Sequence, residues 1–279
     1  MADARILGDL REGVLDAAEI LAAARALAHA EKTRTQIRLL SEDHPRMNMA
    51  DAYAIQAAWV ALKEEAGDPQ IGWKIGLTSK AMQAALNIDI PDSGVLLESM
   101  AFANGAEVPQ GHFIQPRVEA ELAFVMGKDV APDATPEEIL AATDYVAPSL
   151  EILDTRITRF DPQTKKARTV LDTIADNAAN AGIVLGEPQR GMSAHDLKWA
   201  GAIVSRNAEV EETGLGAGVL GDPLLSMSWL AQRLGAYGQP IRAGQIVLSG
   251  SFIRPVEAPP GSLITADFGP LGQVSLTFG

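Results

Sequence analysis

Short apolar segments separated by turn residues fill the chain after Gly72, and they constrain its fold more than any other feature. Lengths of this kind are typical of β-strands, whereas helices need longer periodic stretches. Only 136–142 and 226–234 add helical patterns here, so regular alternation of strand and helix is excluded. The sequence predicts a strand-dominated mixed domain. The apolar segments are 73–77, 118–126, 145–153, 181–185, 202–206, 245–248, 262–268 and 274–278.

The N-terminal part of the chain has a different, helical pattern. Asp16 and Glu19 have the spacing of a capping box, and an alanine-rich stretch with apolar residues at helical intervals follows. Pro45 interrupts this pattern, and a second helix is predicted to begin at Asn48 or Asp51. We therefore expect two helices ahead of the strands, with their apolar faces in the core or in a subunit contact.

Two glutamates lie one residue apart in the apolar segment 118–126. A strand places Glu119 and Glu121 on the same face, roughly 7 Å apart at Cα. Like charges on an apolar strand repel each other and resist desolvation, and a cation between them removes this conflict. Glu151 supplies a third acid inside the apolar segment 146–153, and three carboxylates suit Mg²⁺ or Mn²⁺. The alternative from local pattern alone is that the glutamates line the solvent face of an edge strand.

Composition excludes several classes of function. The 279-residue chain has a net charge of −13, which disfavours nucleic acid and anionic membranes as partners. It contains no cysteine, so disulfides, thiolate metal sites and cysteine nucleophiles are excluded. The N-terminus lacks the pattern of a signal peptide, and no apolar run is long enough to cross a membrane. These features predict a soluble cytoplasmic protein.

Three other features do not support a different chemistry. The glycine-rich stretch at 213–218 follows an acidic segment, and Pro223 is expected to prevent a helix directly after it, so the context is wrong for a dinucleotide loop. The four histidines are scattered without the spacing of metal ligands. Ser249 and Ser251 lie in a sequence that lacks the nucleophile-elbow pattern, so both are interpreted as turn serines.

A series of motifs, in fixed order, gives the chain a specific resemblance from about Ile37 to its C-terminus. Together they resemble the hydratase/decarboxylase family of the meta-cleavage pathways for aromatic compounds. That family belongs to the fumarylacetoacetate hydrolase-like superfamily. The motifs are GWKIGLTSK (72–80), PDSG (91–94), PRVEAELAF (116–124), LE (150–151) and DTIADNAANAG (172–182).

The resemblance implies an α+β fold with a mixed β-roll or sandwich core and an N-terminal helical segment. The corresponding division is a disordered N-terminus at 1–12, the helical segment at 13–70 and the catalytic domain at 71–279. It also implies a homo-oligomer, either a pentamer or a decamer, and an association with the aldolase of the same pathway.

The resemblance also implies the site residues and the cofactor. Mg²⁺, with Mn²⁺ as a substitute, would be held by Glu119, Glu121 and Glu151. Lys74 falls at the position of the active-site lysine of the family, where it would bind the C1 carboxylate or donate a proton. Asp92 falls where the family has an acid near the substrate, and it would move protons. A turn-capping role after Pro91 is the alternative for this aspartate.

Further motifs point to the branch that hydrates 2-oxohept-4-ene-1,7-dioate in homoprotocatechuate degradation. The implied reaction is ketonisation of the 2-hydroxy-2,4-diene followed by addition of water at C4, which gives a 4-hydroxy-2-oxo acid. A dicarboxylate needs a second anion site, and Arg156, Arg159 and Arg168 are candidates because a guanidinium suits a carboxylate. Ser251 is also predicted to contact substrate. The branch motifs are TDYV (143–146), DPQT (161–164), DTIADN (172–177) and GSF (250–252).

Four alternative functions stay open at this point. The same metal site would serve a 4-oxalocrotonate-type decarboxylase or a hydratase of the 2-hydroxypenta-2,4-dienoate type. A non-catalytic partner subunit is a third possibility, which the intact acids and Lys74 disfavour. The fourth is a C–C hydrolase with a His–Glu pair, for which His29 and Glu31 invite comparison. Their spacing of two residues puts them on different helix faces, which disfavours hydrolysis.

Overall fold

The computed structural model describes residues 13–79, 83 and 90–279, and the chain has an α+β fold as expected. The predicted disorder of residues 1–12 lies outside the described residues. Within those residues the α-helices are Ala17–Thr33 (α1), Leu40–Asp43 (α2), Met49–Glu65 (α3), Pro136–Ala142 (α4), Val170–Ala175 (α5), Ala194–Trp199 (α6) and Pro223–Ala236 (α7).

The N-terminal helices begin where side chains cap them. Asp16 accepts hydrogen bonds from the first-turn amides of α1, and Glu19 completes the predicted capping box. Asn48 caps α3, and Asp51 completes its capping box, so the first of the two predicted starting points is correct. The two helices pack together, and their apolar faces join the main hydrophobic core.

Two sheets contain the strands. The strands are Gln70–Gly76 (β1), Asp92–Leu97 (β2), Ala101–Phe102 (β3), Glu107–Val108 (β4), Arg117–Met126 (β5), Thr143–Leu153 (β6), Asn180–Leu185 (β7), Gly201–Arg206 (β8), Glu209–Leu215 (β9), Ile246–Leu248 (β10), Val256–Glu257 (β11), Ser262–Asp267 (β12) and Gln273–Phe278 (β13).

The first sheet is mixed and positions the candidate site. Its strand order is β2-β1-β10-β5-β6-β7-β3, and β11 also pairs with β5. The β1–β10 and β3–β7 pairs are parallel, and the others are antiparallel. The second sheet has the order β4-β13-β12-β8-β9, in which only β4–β13 is parallel. The long strands β5 and β6 lie centrally in the first sheet and are almost entirely buried.

Two local readings of the sequence were wrong. Pro223 does not prevent a helix: it occupies the first position of α7, where proline has no hydrogen bond to lose, and Asp222 caps that helix. Strand β2 was not expected, because Pro91 and Gly94 are typical of turns. Its edge position allows it to begin directly after a proline. Among the helices of the described ranges, each is too short or too polar to span a bilayer.

Candidate active site

Three carboxylates meet on one face of the first sheet. The antiparallel register of β5 and β6 places Glu119 directly opposite Glu151, and Glu121 opposite Ser149. Each glutamate offers one oxygen, and these three oxygens lie within 4.8 Å of one another. The alternation of the strand thus brings Glu119, Glu121 and Glu151 together as the sequence predicted, and Glu121 and Glu151 are buried rather than on a solvent face.

The electrostatics of this cluster favour a cation. Burial, followed by the charge of Glu151, raises the pKa of Glu119 to about 8. Burial also raises the pKa of Glu121 well above its usual value, with Glu151 and Glu119 adding to the effect. Glu121 Oε1 and Glu151 Oε2 are buried without a hydrogen-bond partner. An all-oxygen donor set with orphaned buried oxygens fits a hard divalent cation such as Mg²⁺.

The second oxygens of the two buried glutamates are held by the protein. The Gly250 amide donates to Glu121 Oε2 at 2.8 Å. Gly250 has φ +115°, and a Cβ there would lie 2.4 Å from Thr78 Oγ1, so only glycine brings this amide to the carboxylate. Asn180 Nδ2 donates to Glu151 Oε1 at 2.7 Å. One oxygen of each buried glutamate therefore stays available to a cation.

Lys74, on β1, joins the carboxylates as a buried cation. Its Nζ lies 3.2 Å from Glu151 Oε1 and donates to the Ala178 carbonyl at 3.3 Å. Burial alone would lower the pKa of Lys74, but the carboxylates, led by Glu151 and Asp92, outweigh it and raise the pKa above its usual value. The ammonium therefore keeps its charge at neutral pH.

Asp92 is the first residue of β2 and lies opposite Gly76 of β1. A Cβ on Gly76 would be 2.2 Å from Asp92 Oδ1 and 3.0 Å from Lys74 Nζ, so the absent side chain leaves room for both groups. Burial raises the pKa of Asp92, which Lys74 partly offsets. Its Oδ1 is buried without a partner. Such a carboxyl group can exchange a proton with a ligand in the cavity.

A cavity of about 260 Å³ lies beside Lys74 and Asp92. Lys74, Asp92, Glu119, Arg168 and Ser251 all contribute to its wall, together with apolar residues of β6 and α5. The Ser251 hydroxyl donates to the Ile253 carbonyl at 2.8 Å. Five of the residues selected from the sequence thus surround one space that is large enough for a small organic acid.

Arg156 does not line this cavity, and the structure does not support its expected contact with substrate. Its guanidinium is buried against the Asp176 carboxylate and stacks over Trp59, 5.1 Å from the ring centroid. The group's hydrogen bonds are already made inside the protein, which leaves it unsuited to a ligand. Arg159 lines a different cavity beside Arg117.

The features that suggested other functions lie elsewhere. Glu31 pairs with Lys63 at 3.2 Å, and neither Glu31 nor His29 lines the cavity. Gly214 lies in β9, where a Cβ would be 2.0 Å from the Phe252 carbonyl oxygen. This glycine serves the close packing of backbone segments.

Sequence reasoning missed Asn180, Gly76 and Gly250 as parts of the site. Each lies in a motif that carried the resemblance, but an isolated amide or glycine has no sequence pattern that indicates a contact with a carboxylate. Only the packing of β1, β7 and the segment after β10 around the triad reveals these contacts.

Fold and site together define a carboxylate-lined metal-site protein of the fumarylacetoacetate hydrolase-like type. A search of family models finds no match. The chain is 48% identical to 2-oxo-hept-4-ene-1,7-dioate hydratase of Escherichia coli over 256 residues, which covers 91% of this chain and 96% of that protein. It therefore belongs to the hydratase/decarboxylase family.

Solved structures agree with this assignment. The 4-oxalocrotonate decarboxylase of Pseudomonas putida G7, complexed with magnesium and adipate, has a TM-score of 0.88 and 32% identity, covering 96% of this chain and 100% of that one. Fumarylpyruvate hydrolase of Pseudomonas aeruginosa, complexed with Mn²⁺ and pyruvate, has a TM-score of 0.57 and 16% identity, covering 74% and 88%. The second comparison shows the shared fold alone.

Proposed function

We propose that this chain is a Mg²⁺-dependent hydratase that adds water to 2-oxohept-4-ene-1,7-dioate or its 2-hydroxy-2,4-diene tautomer. The product would be 4-hydroxy-2-oxoheptane-1,7-dioate. The observation that carries this proposal is the glutamate triad, whose member Glu119 lines the same cavity as Lys74 and Asp92. The chain is also 48% identical to a hydratase named for this substrate. The enzyme class is a hydro-lyase.

Glu119, Glu121 and Glu151 would hold the metal ion, through the oxygens that the protein leaves unpaired in Glu121 and Glu151. Mn²⁺ would serve as a substitute because it accepts the same oxygen ligands. When bound, the ion supplies Lewis-acid polarisation of the 2-oxo acid group.

Lys74 and Asp92 would bind and protonate the substrate. The charged Lys74 ammonium faces the cavity and suits the C1 carboxylate. Asp92 has a raised pKa and an unpaired oxygen, so it can deliver a proton to C5 during ketonisation or take one from the attacking water. Lys74 also affects proton transfer by Asp92, because its charge limits how far burial raises the pKa of this aspartate.

Arg168 is the candidate for the distal carboxylate. It is half-buried in the cavity wall, and its Nη1 is buried without a hydrogen-bond partner. Thr169 and Thr173 line the same cavity. A charge-assisted contact with the seventh carbon's carboxylate would give the preference for a dicarboxylate. Ser251 lies in the wall of the same cavity as a further polar group for the substrate.

The biological setting belongs to this proposal as well. We assign the enzyme to homoprotocatechuate degradation because its substrate would be an intermediate of that route. We expect a pentamer or decamer and an association with the pathway aldolase, on the strength of the family resemblance. Sedimentation of the purified protein, alone and mixed with that aldolase, measures both.

A substrate panel with Mg²⁺ tests the choice of substrate. Initial rates should favour the seven-carbon diacid over the five-carbon monoacid by about 10- to 150-fold in kcat/KM, the value of a charge-assisted contact. Arg168→Met should remove this preference and leave monoacid turnover largely unchanged. Arg159→Met is a matched control that should retain the preference. Equal rates for both substrates in the unmodified protein would instead indicate a hydratase of the pentadienoate type.

A further inference from the structure

A five-residue turn, 176–180, leads into β7 and contacts two groups of the site. The Ala178 carbonyl accepts a hydrogen bond from Lys74 Nζ at 3.3 Å, and Asn180 Nδ2 donates to Glu151 Oε1 at 2.7 Å. The three central residues have φ values of 52°, 50° and 62°, in the left-handed region that residues other than glycine seldom adopt. Strain of this kind persists only where the surroundings impose it, and it concentrates at functional sites.

Arg156 holds both ends of this turn. Its Nη2 donates to the Asp176 carbonyl at 2.8 Å and to the Asn180 carbonyl at 3.1 Å. The Asp176 carboxylate binds the Arg156 Nε and also accepts from the Arg156 backbone amide at 2.8 Å. A single planar guanidinium therefore sets the distance between the first and last residues of the turn.

Two asparagines on the turn use their side chains differently. Asn177 makes a complete pair with the backbone of Val95 in β2, in which its Oδ1 accepts at 2.8 Å and its Nδ2 donates at 2.9 Å. The side chain of Asn180 donates to Glu151, while its Oδ1 is buried without a partner. A buried amide that serves only the fold normally has both ends bonded, as Asn177 does. The single bond of Asn180 is directed at the candidate metal ligand.

This bond decides which oxygen Glu151 can offer to a cation. Oε1 receives both Asn180 Nδ2 and Lys74 Nζ, whereas Oε2 is buried and unpaired. Without Asn180, the Lys74 ammonium would be the sole partner of this carboxylate and could draw it away from the other two glutamates. A neutral amide secures the orientation without adding charge to the site.

We propose that Asn180 is a positioning residue that orients Glu151 for the metal ion, and that the turn clamped by Arg156 places its amide. The proposal rests on the metal site proposed above. Partners of metal ligands of this kind typically change metal affinity by about 10- to 100-fold when they are removed. Asn180→Ala should therefore raise the dissociation constant for Mg²⁺ about 10- to 100-fold. Asn180→Ser keeps a short hydroxyl donor and should give a smaller increase.

Calorimetric titration of the purified full chain with Mg²⁺ alone measures these affinities, and thermal unfolding without metal reports stability. The matched control is Gln56→Met. Gln56 is another buried amide, and it donates to the carbonyls of Ser93 and Ile174. Its loss should lower the unfolding temperature and leave Mg²⁺ affinity within about twofold, since its hydrogen bonds stabilise only the fold.

The outcomes separate this inference from the proposed metal site. Weakened Mg²⁺ binding in the Asn180 variants, with normal binding in Gln56→Met, supports the positioning role. Unchanged affinity in Asn180→Ala overturns it while leaving the metal site intact. If Asn180→Ala does not fold, Asn180→Leu, which keeps the size of the side chain but lacks the donor, decides by the same criterion. Failure of the unmodified protein to bind Mg²⁺ overturns both the inference and the metal site.

Discussion

Binding of Mg²⁺ should release protons at neutral pH, because the metal-free carboxylates hold protons that the ion must displace. The pKa of Glu119 is about 8, so at pH 7 this group is about nine-tenths protonated in the metal-free protein. Glu121, whose pKa is also raised well above its usual value, adds to the release. We therefore expect about one proton or more per bound ion at pH 7.

The raised pKa of Glu119 also determines how the affinity for Mg²⁺ depends on pH. For a single group with a pKa of about 8, Mg²⁺ affinity should fall about tenfold between pH 9 and pH 7, and again about tenfold by pH 6. Titration calorimetry in buffers of different ionisation enthalpy measures the released protons directly. A proton count near zero at pH 7, with tight binding, would refute the electrostatic description of the triad.

The raised pKa of Glu119 also determines how the stability of the metal-free protein changes with pH. The folded-state pKa of Glu119 lies above its unfolded value, so the metal-free protein should lose stability as the pH rises from about 4.5 towards 8. Excess Mg²⁺ should reverse this loss at the upper end of the range. The thermal unfolding midpoint without metal is measured against pH for the unmodified protein and for Glu119→Gln. A midpoint that rises over this interval, with the same slope in both proteins, would contradict the raised pKa of Glu119.

Three further results are expected from single variants. Glu121→Gln should weaken Mg²⁺ binding, since it removes one charge while preserving shape, and unchanged affinity would exclude this residue as a ligand. Lys74→Met should reduce kcat strongly with Mg²⁺ binding retained, whereas an effect confined to KM would indicate uniform substrate binding. Asp92→Asn should slow proton exchange at C5 of the substrate in heavy water, and NMR would detect normal exchange if another group carries the proton.

The strand pattern predicted the arrangement of the three glutamates but left their role open, because an edge strand with a solvent face would show the same pattern. Alternation along β5 fixes the side on which Glu119 and Glu121 project, and the apolar segment around Glu151 indicates its burial. The family resemblance added Lys74 and Asp92, which no local pattern identifies. The placement of the glutamates could be predicted because strand geometry is regular and does not depend on distant residues.

The arginines show where sequence reasoning fails. Arg156 and Arg168 lie twelve positions apart after the same strand, and both have the chemistry to bind a carboxylate. Only the folded structure distinguishes them: Arg156 forms a buried ion pair with Asp176, whereas Arg168 lines the cavity. The turn that contains Asn180 was equally inaccessible, since its left-handed residues oppose their own local preferences and depend on tertiary contacts.

Product analysis after turnover in water labelled with heavy oxygen tests the central claim most directly. Purified protein supplied with 2-hydroxyhepta-2,4-diene-1,7-dioate and Mg²⁺ should form 4-hydroxy-2-oxoheptane-1,7-dioate with the label at C4. EDTA should abolish its formation, and added Mg²⁺ or Mn²⁺ should restore it. Carbon dioxide release without the hydroxylated product, or full turnover in protein stripped of metal, would contradict the proposed Mg²⁺-dependent hydratase.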